Sequence, residues 1–529
     1  MEKSINTMQN KNTKLNIKNN GEVFTPNFLV NIILEQIDYN KNNANILQKH
    51  IIDNSCGNGA FLCEIVKRYC QVSIKNNISN LQIENDLSNY IHGIEINKDN
   101  YIQCIKNLNT IAKSFNLNLQ NISWNILNED ALLVSEFNNK MDFVVANPPY
   151  VRVHNLTDYK KIKQQFSFIK NGMLDLYLIF FELGFKMLNT DNINNAKMIY
   201  ITPSSWLNSL AGNVLRNYIV TYKNLKSLID LEHQQPFEKI TTYTIISEFT
   251  ANKKNDLINY FKLNNNYEKV KIAELNFKDF YFNNTFYLAQ KNVLNKLQKI
   301  LNCNTKFVVV KNGFATLADN IFIQKQIKNF GFDNYIIPIL KASTAENFYA
   351  FFPYDKDGKA ITKSELFDNK NNQNIANYLN NNKQFLLKNM SEESNKNWYL
   401  YGRSQAIKDV YKDKIAVNTI IKNVESIKIN FVPKGNGIFS GLYIISNSIE
   451  FTLNKENINL INNILKSNDF IEYLQCLKKY KNGGYYTFNS KELECFLNYK
   501  IGKILYYTEN KNVFNNTENL QFNLNFFKA

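Results

Sequence analysis

Apolar positions in the first half of the chain recur with two alternating periods. Short apolar runs of strand length are each followed by a longer stretch in which apolar side chains return every three or four residues, the spacing of one helix face. Strands are therefore expected at His50 to Asp53, Tyr90 to Ile96, Ile122 to Leu127, Asp142 to Ala146, Lys197 to Ile201, Leu225 to Leu231 and Tyr243 to Thr250. Helices are expected at Asn27 to Ile37, just after Pro26, and at Ala60 to Cys70, Asp99 to Phe115, Leu174 to Leu188 and Ala211 to Tyr222. Strand and helix in alternation predict an α/β fold: a mostly parallel, doubly wound sheet with its ligand at the carboxyl ends of the strands.

After about residue 255 the alternation fades into short aromatic-rich strands and Asn/Lys loops. Helices are still expected at Leu288 to Leu301 and Ile458 to Tyr480, and the segment 366–396 keeps a helical spacing through Ile375, Leu379, Phe385 and Leu386. This half reads as a second, mixed α+β domain. The expected division is a flexible polar tail at 1–20, a first domain at 21–255 and a second at 256–529.

Composition narrows the function classes. The 529 residues carry a formal net charge of +16, which points to a polyanionic partner, most simply nucleic acid; a generally Lys-rich proteome is the plainer alternative. The 7 cysteines are scattered without a C-x-x-C pair and the 4 histidines are isolated, so a reducing cytoplasmic setting and no metal site are expected. No apolar stretch reaches the length of a membrane span, and the polar start lacks the apolar core of a signal peptide.

The most specific motif is Asn147-Pro148-Pro149-Tyr150, directly after the apolar run Phe143 to Ala146. The two prolines stiffen the loop, so its carbonyls point in set directions. An Asn side-chain oxygen and a Pro carbonyl are two acceptors, matching the two donors of an exocyclic amine. Tyr150 adds a flat face for a planar ring. The alternative is a proline-rich turn with an incidental aromatic. Upstream, the first strand runs into Asp53-Asn54-Ser55-Cys56-Gly57-Asn58-Gly59, where glycines between strand and helix admit close approach of a ligand to the backbone. The second strand ends at Glu95, beside Ile96, where a carboxylate can accept from two ribose hydroxyls. The third junction holds Asn128-Glu129-Asp130, where a carboxylate can accept from an amino group. Taken singly, these read equally well as a plain turn and helix-capping acids.

In this order the motifs resemble those of the gamma-type adenine-N6 DNA methyltransferases of restriction–modification systems, from Glu22-Val23-Phe24-Thr25-Pro26 through Asn-Pro-Pro-Tyr, over residues 21–250. The resemblance implies a Rossmann-like methyltransferase domain using S-adenosylmethionine, followed by a DNA-recognition domain. It places Thr25 near the methionine part of the cofactor, Ser55 and Gly57 in the loop beneath it together with Asp53, Glu95 on the ribose and Asp130 on the adenine. Ala131 stands where the family often has a bulky apolar residue, so the adenine slot is either looser or filled by Ile96. Asn147, Pro148, Pro149 and Tyr150 become catalytic, and Phe237, in Phe237-Glu238-Lys239-Ile240-Thr241-Thr242-Tyr243-Thr244, a second ring against a flipped base, with a core Phe at a strand turn as the alternative.

Candidate DNA contacts are Arg152, His154, Lys160, Lys161, Lys163 and Lys170 after the motif, Arg403 in Gly402-Arg403-Ser404-Gln405, and Lys479 and Lys481 in a basic, aromatic, glycine-containing stretch. For each group an ordinary solvated surface is the competing reading. The expected partner is double-stranded DNA, with no membrane and a monomeric enzyme without cleavage activity; whether a separate cognate endonuclease accompanies it is left open. Two other readings remain open: a methyltransferase acting on a protein glutamine amide or an RNA base amine, and a catalytically silent DNA-specificity protein.

Overall fold

The structure, a computed structural model, describes residues 25–153, 159–191, 196–232, 234, 236–237, 242–251, 254–387, 397–481 and 483–514. The expected tail at 1–20, Glu22 to Phe24, His154 and Glu238 to Thr241 lie outside these residues. The chain divides into two compact units, one ending at Leu294 and one beginning at Asn295.

The first unit is built on nine strands: β1 (Ile51–Asp53), β2 (Ile91–Ile94), β3 (Asn125–Leu127), β4 (Phe143–Ala146), β5 (Lys197–Pro203), β6 (Leu225–Asp230), β7 (Thr244–Thr250), β8 (Ile258–Leu263) and β9 (Lys269–Leu275). They form one sheet in the order β3-β2-β1-β4-β5-β7-β6-β8-β9. Strands β1 to β5 pair in parallel, with Asp53 opposite Gly93 on one side and Val145 on the other. Strand β7 runs antiparallel between β5 and β6. Among the described residues, seven helices belong to this unit up to β6: α1 (Asn27–Gln36), α2 (Ala60–Lys75), α3 (Asn80–Tyr90), α4 (Lys98–Ser114), α5 (Tyr159–Gln165), α6 (Tyr177–Met187) and α7 (Asn213–Tyr222).

Period-two alternation on the strands separates two cores. Ile51, Phe143 and Val145 face one core with Leu29, Phe61, Ile83 and Leu108, so α1 to α4 cover that face. Ile52, Val144 and Ala146 face the other with Ile179, Phe181, Leu215 and Ile219 of α6 and α7. Helices on both faces of a largely parallel sheet are the expected doubly wound α/β arrangement.

Three expectations about extent are corrected. Helix α3 has no counterpart among the expected elements, because its sequence looks polar. Its acids are in fact buried and satisfied: Glu84 accepts from Asn118 N and Asn121 Nδ2 at 2.6 Å each, and Asp86 from Tyr69 Oη at 2.9 Å. The sheet does not stop near residue 255, since β8 pairs in parallel with β6 and β9 closes the edge. The helix expected at Ile458 to Tyr480 is two, Lys455–Leu465 and Asn468–Leu477, parted where the Ser467 hydroxyl donates to Ile464 O at 2.7 Å and caps the first.

In the second unit, one antiparallel sheet holds Val308–Asn312, Leu442–Ser446, Lys414–Val417 and Ile429–Val432. A mixed sheet holds Ile323–Gln324, Glu346–Phe351, Ile336–Lys341 and Gly437–Phe439. The helix expected within 366–396 is found at Gln373–Leu387, with Ile375 and Leu379 buried and Phe385 exposed.

Candidate active site

The strand order reverses between β1 and β4: the chain steps outward to β2 and β3, then returns to pair β4 against the free side of β1. Loops leaving neighbouring strands at such a switch point diverge and leave a crevice at the carboxyl ends. Here the two loops are the glycine loop after Asp53 and the Asn147 loop after Ala146.

The glycine loop is held by its neighbour. Cys56 N donates to Ile94 O at 3.0 Å, and Gly57 N donates to Glu95 Oε2 at 2.9 Å. Gly57 and Gly59 take φ of 55° and 90°, left-handed values that favour glycine. Glu95 Oε1 accepts from Asn97 N at 2.7 Å, so one carboxylate fastens both loops. Asn128 Nδ2 donates to Glu95 O at 2.8 Å and brings in the β3 junction. Asp130 Oδ1 accepts from Leu132 N at 3.0 Å, a turn-capping geometry, and Ile96 is 68 % exposed.

The Asn147 loop is tied to the same place. Asn147 Nδ2 donates to Thr25 Oγ1 at 3.1 Å, and Ser55 Oγ donates to Asn147 O at 3.4 Å. Thr25, Ser55 and Asn147, far apart in sequence, are thus gathered at one point. The Thr25 contact also orients the amide, since its nitrogen points at an acceptor. Pro148 is buried and Pro149 half-buried. Tyr150 donates its hydroxyl to Ile201 O at 3.3 Å and meets Phe237 edge-on, ring centroids 6.4 Å apart. Phe237 itself is 4 % exposed within the core under α1 to α4, so in this structure it supports Tyr150 from behind. Sequence reasoning missed Asn54, fully buried, whose Nδ2 donates to Tyr200 Oη at 2.7 Å and anchors the glycine loop to β5. An asparagine in a loop carries no local signal of such a partner.

Burial governs the site's charges. It pushes the Asp53 carboxyl up to about 8, with the Glu95 charge adding to the rise and the Ser55 N–H opposing it. Glu95 is also raised by burial, against the pull of its two backbone donors. An aspartate titrates near 3.9 when unfolded, so from about pH 4 to about pH 8 folded Asp53 holds a proton that the unfolded chain has released. Stability from this group is intact below that window and falls as pH rises through it. Asp53→Asn is expected to flatten the fall: the parent should lose at least about 2 °C more in Tm than the variant between pH 5 and pH 7.5. Equal losses in thermal denaturation would remove Asp53 as the source.

The candidate DNA contacts divide by partner. Arg152 pairs with Asp175 at 3.1 Å, and Lys479 pairs with Glu492, so both are committed within their own units. Lys160, Lys161, Lys163 and Lys170 are exposed. Arg403 is exposed on a loop fastened by Gly402 N to Thr316 O at 3.0 Å and Arg403 N to Ala315 O at 3.2 Å. Lys481 is exposed on the strand Tyr480–Lys481, which pairs with Tyr485–Thr487. Among the described residues no group of His, Cys, Asp and Glu is placed to hold a metal ion, and no helix is long and apolar enough to cross a membrane.

Residues 29–237 match the family described as Eco57I restriction-modification methylase. The chain is similar to the type II methyltransferase M.BstVI of Geobacillus stearothermophilus, 27% identical over 44% of this chain and 42% of that protein. It is similar also to the type II restriction enzyme and methyltransferase RM.Eco57I of Escherichia coli, 22% identical over 82% of this chain and 52% of that one. The chain therefore spans about half the length of the curated relatives it matches. Its fold is similar to that of the Type IIL restriction-modification enzyme MmeI, solved in complex with DNA, with a TM-score of 0.55, 14% identity, and coverage of 92% of this chain and 76% of that one. Residues 29–237, which hold the glycine loop, Glu95, Asp130 and Asn147, are thus the part of this chain that is similar to the Eco57I restriction-modification methylase family.

Proposed function

We propose that the chain is a site-specific DNA methyltransferase that moves a methyl group from S-adenosylmethionine to the N6 amino group of a flipped adenine, as the modification activity of a restriction–modification system. The observation that carries the reading is the meeting of Thr25, Ser55 and Asn147 at the β1/β4 switch point. Its relatives are named type II methyltransferases, which supports the same reaction class. The donor set suits the cofactor. Asp53 and Glu95 are two buried carboxyls whose charged forms are disfavoured by burial, and a cationic ligand relieves that penalty. Glu95 would face the ribose, Asp130 and the exposed Ile96 the adenine, and Thr25, Ser55 and Gly57 the methionine end.

Bound S-adenosylmethionine supplies a methyl group already activated on a sulfonium, so the chain needs no strong base. Adenine N6 is a poor nucleophile because its lone pair is delocalised into the ring. Asn147 Oδ1 and Pro148 O accept its two N–H bonds and turn the lone pair out of the ring plane. As the bond from N6 to the methyl carbon forms, the carbon–sulfur bond of the sulfonium would break and leave its electron pair on sulfur as a neutral thioether; N6, now cationic, loses one proton to water. Tyr150, braced by Ile201 and Phe237, offers its face to the extruded base and offsets part of the cost of extrusion. The half beyond the catalytic unit would read sequence, with Arg403 facing bases and Lys481 facing phosphate.

Long-read sequencing of DNA from a host expressing the full chain tests the reading. Methylated adenines in one fixed context are the expected result. Unmethylated DNA, with methyl transfer to a protein glutamine or an RNA base by the pure chain, would replace it.

A further inference from the structure

The rim of the crevice carries a feature that cofactor binding and methyl transfer do not use. Met173 and Leu210 are 73 % and 65 % exposed. They stand on different loops, Met173 on the segment that follows β4 and Leu210 on the segment that follows β5, both leaving the carboxyl edge of the sheet where Asn147 lies. The two loops touch through backbone: a Cβ on Gly172, whose φ is +78°, would lie 3.0 Å from Ala211 N and 3.4 Å from Leu210 Cβ.

Each loop is braced from behind. Arg152 Nη1 donates to Met173 O at 3.2 Å, and Val153 N to Leu174 O at 2.9 Å. On the other side Arg216 Nη1 donates to Trp206 O at 2.5 Å and Ser209 O at 2.8 Å. A lone exposed methionine on a loop tip is ordinary. Two large exposed apolar residues, at the place where two braced loops meet, form an apolar point.

Charge indicates what covers that point. From Tyr159 to Leu174 the chain has four lysines, all exposed, and no Asp or Glu, and the next acid, Asp175, is paired with Arg152. From Thr202 to Tyr222 it has no Asp or Glu either. An apolar tip bordered by cations matches a ligand with anionic edges and apolar interior faces, which is a base stack between phosphate backbones. A purely apolar protein surface would not call for the cations.

We propose that Met173 and Leu210 form a wedge that enters the duplex beside the target adenine and fills the stack that the extruded base leaves. This rests on the methyltransferase reading above. It assigns to these residues the work of holding the duplex open, separate from Tyr150, which receives the base.

The test uses the full chain and two duplexes bearing its own target sequence, each with 2-aminopurine at the target adenine. In one the target base is paired; in the other the opposite position is abasic. The double variant Met173→Ala/Leu210→Ala is expected to bind the paired duplex at least about tenfold more weakly, with a smaller fluorescence rise, and the other duplex within about threefold of the parent, because an unpaired base costs less to extrude. Leu210→Phe should keep the parent behaviour. Calorimetric affinity for S-adenosylmethionine checks that the fold is intact. Parent-like binding by the double variant on the paired duplex would overturn the wedge, as would equal losses on both duplexes, which describe a general contact surface. A parent that neither binds nor methylates either duplex would refute the DNA reading itself, and the wedge with it.

Discussion

Replacing Asn147 with alanine is expected to lower the rate of methyl transfer by about a thousandfold, the scale seen when a positioned hydrogen-bonding group is removed from a transition state. The rate depends on two acceptors meeting two N–H donors of the target amine, and alanine removes one of them. Cofactor affinity should change little, because Asn147 meets the glycine loop through its backbone oxygen, on which Ser55 Oγ rests at 3.4 Å, and alanine keeps that oxygen. The melting temperature should change little, since the side chain is half-buried and its bond to the Thr25 hydroxyl, at 3.1 Å, joins two neutral groups. Thr25→Val supplies the companion result. It keeps the shape and removes the acceptor that orients the amide, so a smaller loss, about tenfold or more in kcat, is expected. Thr25→Ser, which keeps the hydroxyl, should recover most of it. Single-turnover kinetics with radiolabelled methyl donor reads both. Near-parent turnover in Asn147→Ala would mean that the amide is a structural feature of the loop.

Glu95→Ala is expected to weaken S-adenosylmethionine binding by about a hundredfold, a larger effect than loss of one ribose contact. A hydrogen bond to a charged group contributes about 1.5–3 kcal/mol. Glu95 here already accepts from Gly57 N and Asn97 N at 2.9 and 2.7 Å, so its removal leaves two loop donors without their acceptor as well as the proposed ribose hydroxyls. The glycine loop then loses the latch that holds it against β2. Glu95→Gln separates shape from charge. The amide fills the same volume, but its NH2 must face one of the two backbone N–H groups, donor against donor. A loss approaching that of alanine is therefore expected, with a lowered melting temperature in both variants. Titration calorimetry measures the affinity, and a Glu95→Ala protein that bound the cofactor like the parent would move the ribose elsewhere.

What the sequence determined by itself is local. Strand and helix periods follow from backbone geometry within a few residues, so β1, β2, β4, β5 and α4 are found close to where the hydrophobic pattern expects them. The Asn-Pro-Pro-Tyr loop and the glycine pair are legible for the same reason, since rigid φ values and positive φ values are properties of single residues. Tertiary structure decided everything that depends on which distant segments meet. It decided that α3 forms, because its buried acids find donors on the 118–121 turn and on Tyr69. It carried the sheet past residue 255 and inserted β7 antiparallel between β5 and β6. It gave Arg152 to Asp175 and Lys479 to Glu492, two charges that composition alone counts as available for phosphate. It buried Phe237 behind Tyr150. Above all it brought Thr25 to Asn147, 122 positions away along the chain. The physical reason is range: a dihedral preference acts within one residue and its neighbours, whereas a side chain's partner is fixed only when packing has selected which surfaces come together.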